Sequence, residues 1–152
     1  MLIILLLLIL NNMIDWQEID NTVKEFSLSG KERMGKVVDV YDGDSVKIVF
    51  SLFETDPLDY RYVLYKWTCR LNNIDTPEIK TKKTSEKELG IKVRDILREK
   101  ILNKMVKIKC HKFDKYGRLL VEIYLDNLCI NDWLIENNYA KCYHGGKKTT
   151  WI

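Results

Sequence analysis

Alternation of apolar and polar positions marks out the strands. In Gly35–Phe50, GKVVDVYDGDSVKIVF, two runs flank Asp42-Gly43-Asp44, and Val46, Ile48 and Phe50 alternate beyond it. This predicts a β-hairpin closed by an Asp-Gly turn. Pro57 and several acids make 51–62 a long loop, and another β run covers Val63–Leu71, where Arg70 is a charge among apolar neighbours. After Pro77 the period changes: Leu89, Val93, Ile96, Leu97 and Ile101 recur at helical spacing, and Ser85 with Glu88 reads as a capping box. A helix over about Glu86–Asn103 follows, with Arg94 and Arg98 on its wet side. Two more β runs, Met105–Cys110 and Leu119–Tyr124, are joined by HKFDKYGR, in which Gly117 suits a positive φ. A short helix over Asn131–Asn137, capped by Asn131, precedes the Gly145-Gly146 turn.

The resulting order is β-β-β-α-β-β-α, an α+β arrangement. It is the order of the five-stranded Greek-key β-barrel of the OB-fold, with two or three helices, whose open face commonly holds nucleic acid. The barrel domain is expected over 34–152, after an apolar segment and a linker over 1–33.

Composition changes this picture in three ways. With 152 residues, 46% apolar and 31% charged, the chain falls in the range of a single globular domain. The net charge of +3 is uneven: residues 1–30 hold one lysine and four acids, leaving 24 basic and 18 acidic residues for the body, which suits a polyanionic partner. Cys69, Cys110, Cys129 and Cys142 form no C-x-x-C pair and read as reduced thiols, not as disulfides or a zinc site. The start, MLIILLLLILNNMI, is shorter than the ~20 residues of a membrane span and lacks both a basic flank and a small-residue cleavage site. It reads as a helix or strand resting on the domain, or as a start assigned too early with Met13 or Met34 as alternatives, and a signal peptide or membrane attachment through residues 1–14 is the less favoured reading.

Three strings carry polar residues the fold does not obviously need: Asp42-Gly43-Asp44, then Arg70 with Asp75-Thr76-Pro77-Glu78, then Asp114-Lys115-Tyr116-Gly117-Arg118. Each alone passes for a turn or a strand exit. Together they suggest a site, because Asp44 and Asp75 leave strand ends that a barrel can bring side by side, and paired carboxylates repel unless a proton or a cation sits between them, a hard cation being the natural resolution. Oxygen donors without His or Cys favour Ca²⁺ or Mg²⁺. Glu78 could then accept a proton from water, and Arg70 and Arg118 offer planar forks for phosphate oxygens. Cation, base and two arginines are the parts that phosphodiester hydrolysis requires.

The strings DGDS, RLNNIDTPE and DKYGR, in this order with a helix between the last two, resemble the staphylococcal nuclease (thermonuclease) family over about Met34–Tyr143. The resemblance implies Ca²⁺-dependent cleavage of DNA or RNA, single-stranded substrates foremost. It places metal ligands at Asp44, Asp75 and the carbonyl of Thr76, the general base at Glu78, and phosphate-binding arginines at Arg70 and Arg118. It also puts Lys115 and Tyr116 against a terminal phosphate. Ser45 replaces the family's threonine, the loop after Phe50 is longer than in the type member, and the family's last helix is missing or reduced. Either Tyr143 or His144 takes the place of the aromatics that stack on a base. The alternative within the family is a nucleic-acid-binding module without catalysis.

Overall fold

The computed structural model describes residues 15–52, 64–148 and 150–151; the apolar start and the loop acids Glu54, Asp56 and Asp59 lie outside them. The elements are β1 (Glu32–Val40), β2 (Ser45–Ser51), β3 (Leu64–Leu71), β4 (Ile74–Asp75), α1 (Thr84–Ile101), β5 (Met105–Phe113), β6 (Leu119–Leu125), β7 (Leu128–Cys129), α2 (Ile130–Glu136) and β8 (Lys141–Cys142). Strands run β3-β2-β1-β5-β6 across the sheet, and β6 returns to pair with β3 in parallel, which closes a five-stranded barrel. With its two helices this is the expected OB-like α+β fold. Packing also reaches ahead of Met34, since Leu28 is buried in the core and the Phe26 and Phe113 rings lie 6.3 Å apart.

Period-two burial explains the strands. Along β5, Val106, Ile108 and Cys110 face inward while Met105, Lys107 and Lys109 face solvent. Burying such a face removes apolar surface from water at about 25 cal/mol per Å². The helix α1 covers one end of the barrel with Val93, Leu97 and Ile101. Trp67 and Trp133 are partly buried core aromatics, the former stacked on Phe50 at 5.1 Å. Among the described residues no helix is long and apolar enough to cross a membrane.

Several local expectations are overturned. Lys83 occupies the N-cap of α1 with no side-chain cap bond, so Ser85 and Glu88 form no capping box; the Glu86 carboxylate instead accepts from the Glu78 amide at 3.4 Å. Arg98 is half-buried and not simply solvated, because its Nε donates to the Val40 carbonyl at 3.0 Å. Asn131 is not a cap but a buried cross-brace inside α2. Its Oδ1 accepts from the Ile123 amide, and its Nδ2 donates to the carbonyls of Asn72 and Val121, each at 3.1 Å. A neighbouring barrel strand thus gains a polar tie to the loop before β4, and this tie outweighs the capping preference of asparagine.

Gly43 and Gly90 matter for closeness of packing. Gly43 does not take the positive φ of a type I′ turn; a Cβ there would meet Val93 Cγ1 at 2.7 Å and the Thr76 side chain at 2.8 Å. At Gly90 a Cβ would meet the Pro77 carbonyl oxygen at 2.7 Å, so α1 lies directly on the backbone that carries Glu78.

Helix propensity alone makes Gly→Ala stabilising by about 1 kcal/mol, whereas overpacking against backbone costs about 1–3 kcal/mol. Gly90→Ala is therefore expected to lower the urea midpoint; a raised midpoint would show that the contact yields.

Candidate active site

Closure of the barrel assembles the site. Arg70 pairs across β2 with Ser45 and across β6 with Leu120, so the chain just before β2, at Asp44, and just before β6, at Arg118, both flank β3. The Leu71 amide donates to the Asp44 carbonyl at 2.8 Å, which ties the Asp44 turn to the end of β3. A two-residue strand later, β4 carries Asp75 and pairs with β8, Asp75 opposite Lys141.

Arg70 is the hub. Its Nη2 lies 3.0 Å from Asp44 Oδ2 and 3.4 Å from Asp75 Oδ1, while Nη1 donates to the Ile74 carbonyl at 3.0 Å. All three side chains are buried. One guanidinium shared by two buried acids does not fully offset their desolvation. Burial pushes the Asp44 carboxyl up to about 7, Arg70 pulls it down, and the nearby Asp42 and Asp75 charges raise it further. Ser45 Oγ adds a bond to Asp44 Oδ1 at 3.1 Å.

Both carboxylates stand close enough for one nitrogen to touch them, so a single hard cation could reach both. Among the described residues no three His, Cys, Asp or Glu side chains form a ready-made metal cage. A cation here would therefore draw its remaining ligands from carbonyl and water oxygens, a mixture Ca²⁺ accepts. The donor chemistry fits.

The other expected residues gather on the same cleft of about 780 Å³, whose walls include Arg70, Glu78, Arg118, Tyr143 and His144. Arg118 is held by its own turn: its Nε donates to Asp114 Oδ2 at 2.7 Å, and Gly117 adopts the positive φ expected of it. Tyr116 is exposed beneath both Lys115 and Arg118, 5.0 and 5.5 Å from its ring centroid. Tyr143, anchored by its amide to the Asn73 carbonyl at 2.8 Å, sets its ring 5.7 Å from the Arg70 guanidinium carbon.

Two residues of this site were missed in the sequence. Lys148 places its ammonium 2.8 Å from Asp75 Oδ1 and also bonds Glu78 Oε1. Partial burial pulls its proton affinity down, but the bonds to Asp75 and Glu78 outweigh burial and hold it above the usual lysine range. Trp151, buried, donates its indole N–H to Asp75 Oδ2 at 3.3 Å. No local signal marks either residue, since a lysine pair near a chain end reads as a solvated run.

A family model described as staphylococcal nuclease homologue matches residues 68–150. The chain is 28% identical over 147 residues to an uncharacterized protein of Methanocaldococcus jannaschii, covering 81% of this chain and 65% of that one. It is 33% identical over 75 residues to a probable staphylococcal-like nuclease of Oryza sativa subsp. japonica, covering 49% of this chain and 18% of the relative. It is 28% identical over 110 residues to an uncharacterized endonuclease of Escherichia coli O157:H7, covering 72% and 60%. The chain spans less than two thirds of the length of each of these relatives.

An acid whose folded pKa lies above its unfolded value of 3.8 binds more protons in the folded state, so its contribution to stability is lost as pH rises. In divalent-free buffer, urea midpoints are expected to fall between about pH 4 and pH 7 because of Asp44, and Asp44→Asn should flatten that slope. An equal slope in the variant would assign the dependence elsewhere.

Proposed function

The chain belongs to the staphylococcal nuclease homologue family, and from that premise we propose that it is a Ca²⁺-dependent nuclease that hydrolyses phosphodiester bonds of DNA or RNA. The observation that carries this reading is the convergence of buried Asp44 and Asp75 on Arg70, with Asp44 and Arg70 lining the cleft that Glu78 and Arg118 also line.

Asp44, Asp75 and the Thr76 carbonyl are the residues that would hold the ion; bound there, it would neutralise charge building at phosphorus and polarise the attacking water. Glu78 accepts the proton of the attacking water as the water oxygen bonds to phosphorus, the bond from phosphorus to the leaving oxygen breaks, and that oxygen departs as an alcohol with a proton taken from solvent. Arg118, on the rim of the cleft, donates to the phosphoryl oxygens as their charge grows. Arg70 serves first as the internal counter-charge of the two acids, and from that fixed place presents positive charge to the phosphate. Lys115 and Tyr116 face a terminal phosphate, and Tyr143 or His144 offers a ring to a base, in a stacking worth about 1–3 kcal/mol.

Purified protein is expected to cut single-stranded DNA and RNA with Ca²⁺ and to stop when a chelator is added. Tight binding of an uncut strand with Ca²⁺ present would favour the non-catalytic module instead. Arg118→Ala should melt within a few degrees of the parent and turn over roughly 10²-fold more slowly, as loss of a transition-state donor typically does. Near-normal turnover would remove Arg118 from the machinery.

A further inference from the structure

The acids of the site are held by two cations of very different burial. Arg70 is fixed: its side chain is 10% exposed, and Nη1 is bonded to the backbone carbonyls of Leu71 and Ile74. Lys148 is not built in this way. Its side chain is 44% exposed, and its ion pairs among the described residues are to Asp75 and Glu78. It follows Gly145 and Gly146, both at positive φ with open space where a Cβ would stand, the Gly146 carbonyl accepting from the Tyr143 hydroxyl at 2.8 Å. Those two glycines let the chain swing at little steric cost.

The position of Lys148 is chemically pointed. Its ammonium bridges one of the two buried carboxylates that converge on Arg70 and the carboxylate proposed as the base. On Asp75, Oδ1 already serves Arg70 at 3.4 Å and Lys148 at 2.8 Å, while Oδ2 receives the Trp151 indole at 3.3 Å. An ion seeking Asp75 Oδ1 must therefore replace a donor, and Arg70 is anchored. Three acids, Asp44, Asp75 and Glu78, face two single positive charges here. Exchanging the ammonium for a divalent ion balances them, and like charges a few ångström apart in a partly buried site oppose joint occupancy.

We propose that Lys148 is a built-in counter-ion that holds Asp75 and Glu78 together until a divalent cation displaces it. This rests on the metal reading of Asp44 and Asp75 given above. Displacement does two things at once: it opens an oxygen of Asp75 to the ion, and it strips the ammonium from Glu78, whose lone pair then becomes available to water. Loading of the ion and release of the base become one event. By linkage, whatever holds Lys148 in place weakens the ion, and the ion weakens the hold on Lys148.

Calorimetric titration of Ca²⁺ into the full chain without nucleic acid tests this. Lys148→Met is expected to bind Ca²⁺ roughly tenfold more tightly than the parent, within the usual range of such couplings, and Lys148→Arg to bind no more tightly than the parent. In the unaltered protein, amine acetylation followed by mass spectrometry should show Lys148 labelling faster once Ca²⁺ is added, while Lys147 serves as the internal reference. Equal Ca²⁺ affinity in parent and Lys148→Met, or Lys148 labelling that does not change, overturns the exchange while leaving the metal reading intact. Absence of Ca²⁺ binding in both chains overturns the metal reading and the exchange with it.

Discussion

Two carboxylates buried within reach of one arginine are the constraint around which this end of the molecule is organised. Taking Asp44 and Asp75 out of water costs several kcal/mol per ion before compensation, and Arg70 is the only buried cation that touches both among the described residues. The arginine in turn depends on barrel closure, because its strand is sandwiched between β2 and the parallel partner β6. Its Nη1 donates to the backbone carbonyls of Leu71 and Ile74, which makes it a fixture. Two buried acids therefore share one fixed guanidinium, a cluster in which the carboxylates outnumber the cation that holds them.

Positioning of the second layer follows from close approach of backbones. Gly43 lets the Asp44 turn sit against Val93 and Thr76, and Gly90 lets α1 press on the Pro77–Glu78 peptide. The helix thus acts as a rigid bench for the loop that carries Asp75, Thr76 and Glu78. On the other side the pairing of β4 with β8 draws the C-terminal chain against the same loop, and this brings Tyr143 and Lys148 to the cleft and Trp151 onto Asp75. The acid loop is gripped from both sides, by packing on one and by hydrogen bonds and charge on the other.

The period-two runs before and after α1, and the helical period within it, were enough to read the barrel strands and the long helix, because burial of one face imposes those repeats on the sequence. The residues that gather at the cleft, Asp44, Asp75, Glu78, Arg70 and Arg118, were legible too as candidates, since each sits in a short polar string that no core position explains. Local signals failed where a residue had a stronger partner far away in the chain. Asn131 looks like a cap and braces the barrel, and Arg98 looks solvated and holds Val40, while Asp42-Gly43 does connect the β1–β2 hairpin as expected but without a positive φ, its glycine making room for Val93 and Thr76.

What the sequence alone determined is therefore the set of elements and the chemical types available to a site, both of which are written in short-range pattern. Only the tertiary structure decided which charges share a pocket and how they are shared: that Arg70 is spent on two acids, and that Lys148 and Trp151 close on Asp75. The reason is physical. A side chain's pairing depends on distance and dielectric, and both are set by barrel closure and by the return of the C-terminal chain, which join residues dozens of positions apart.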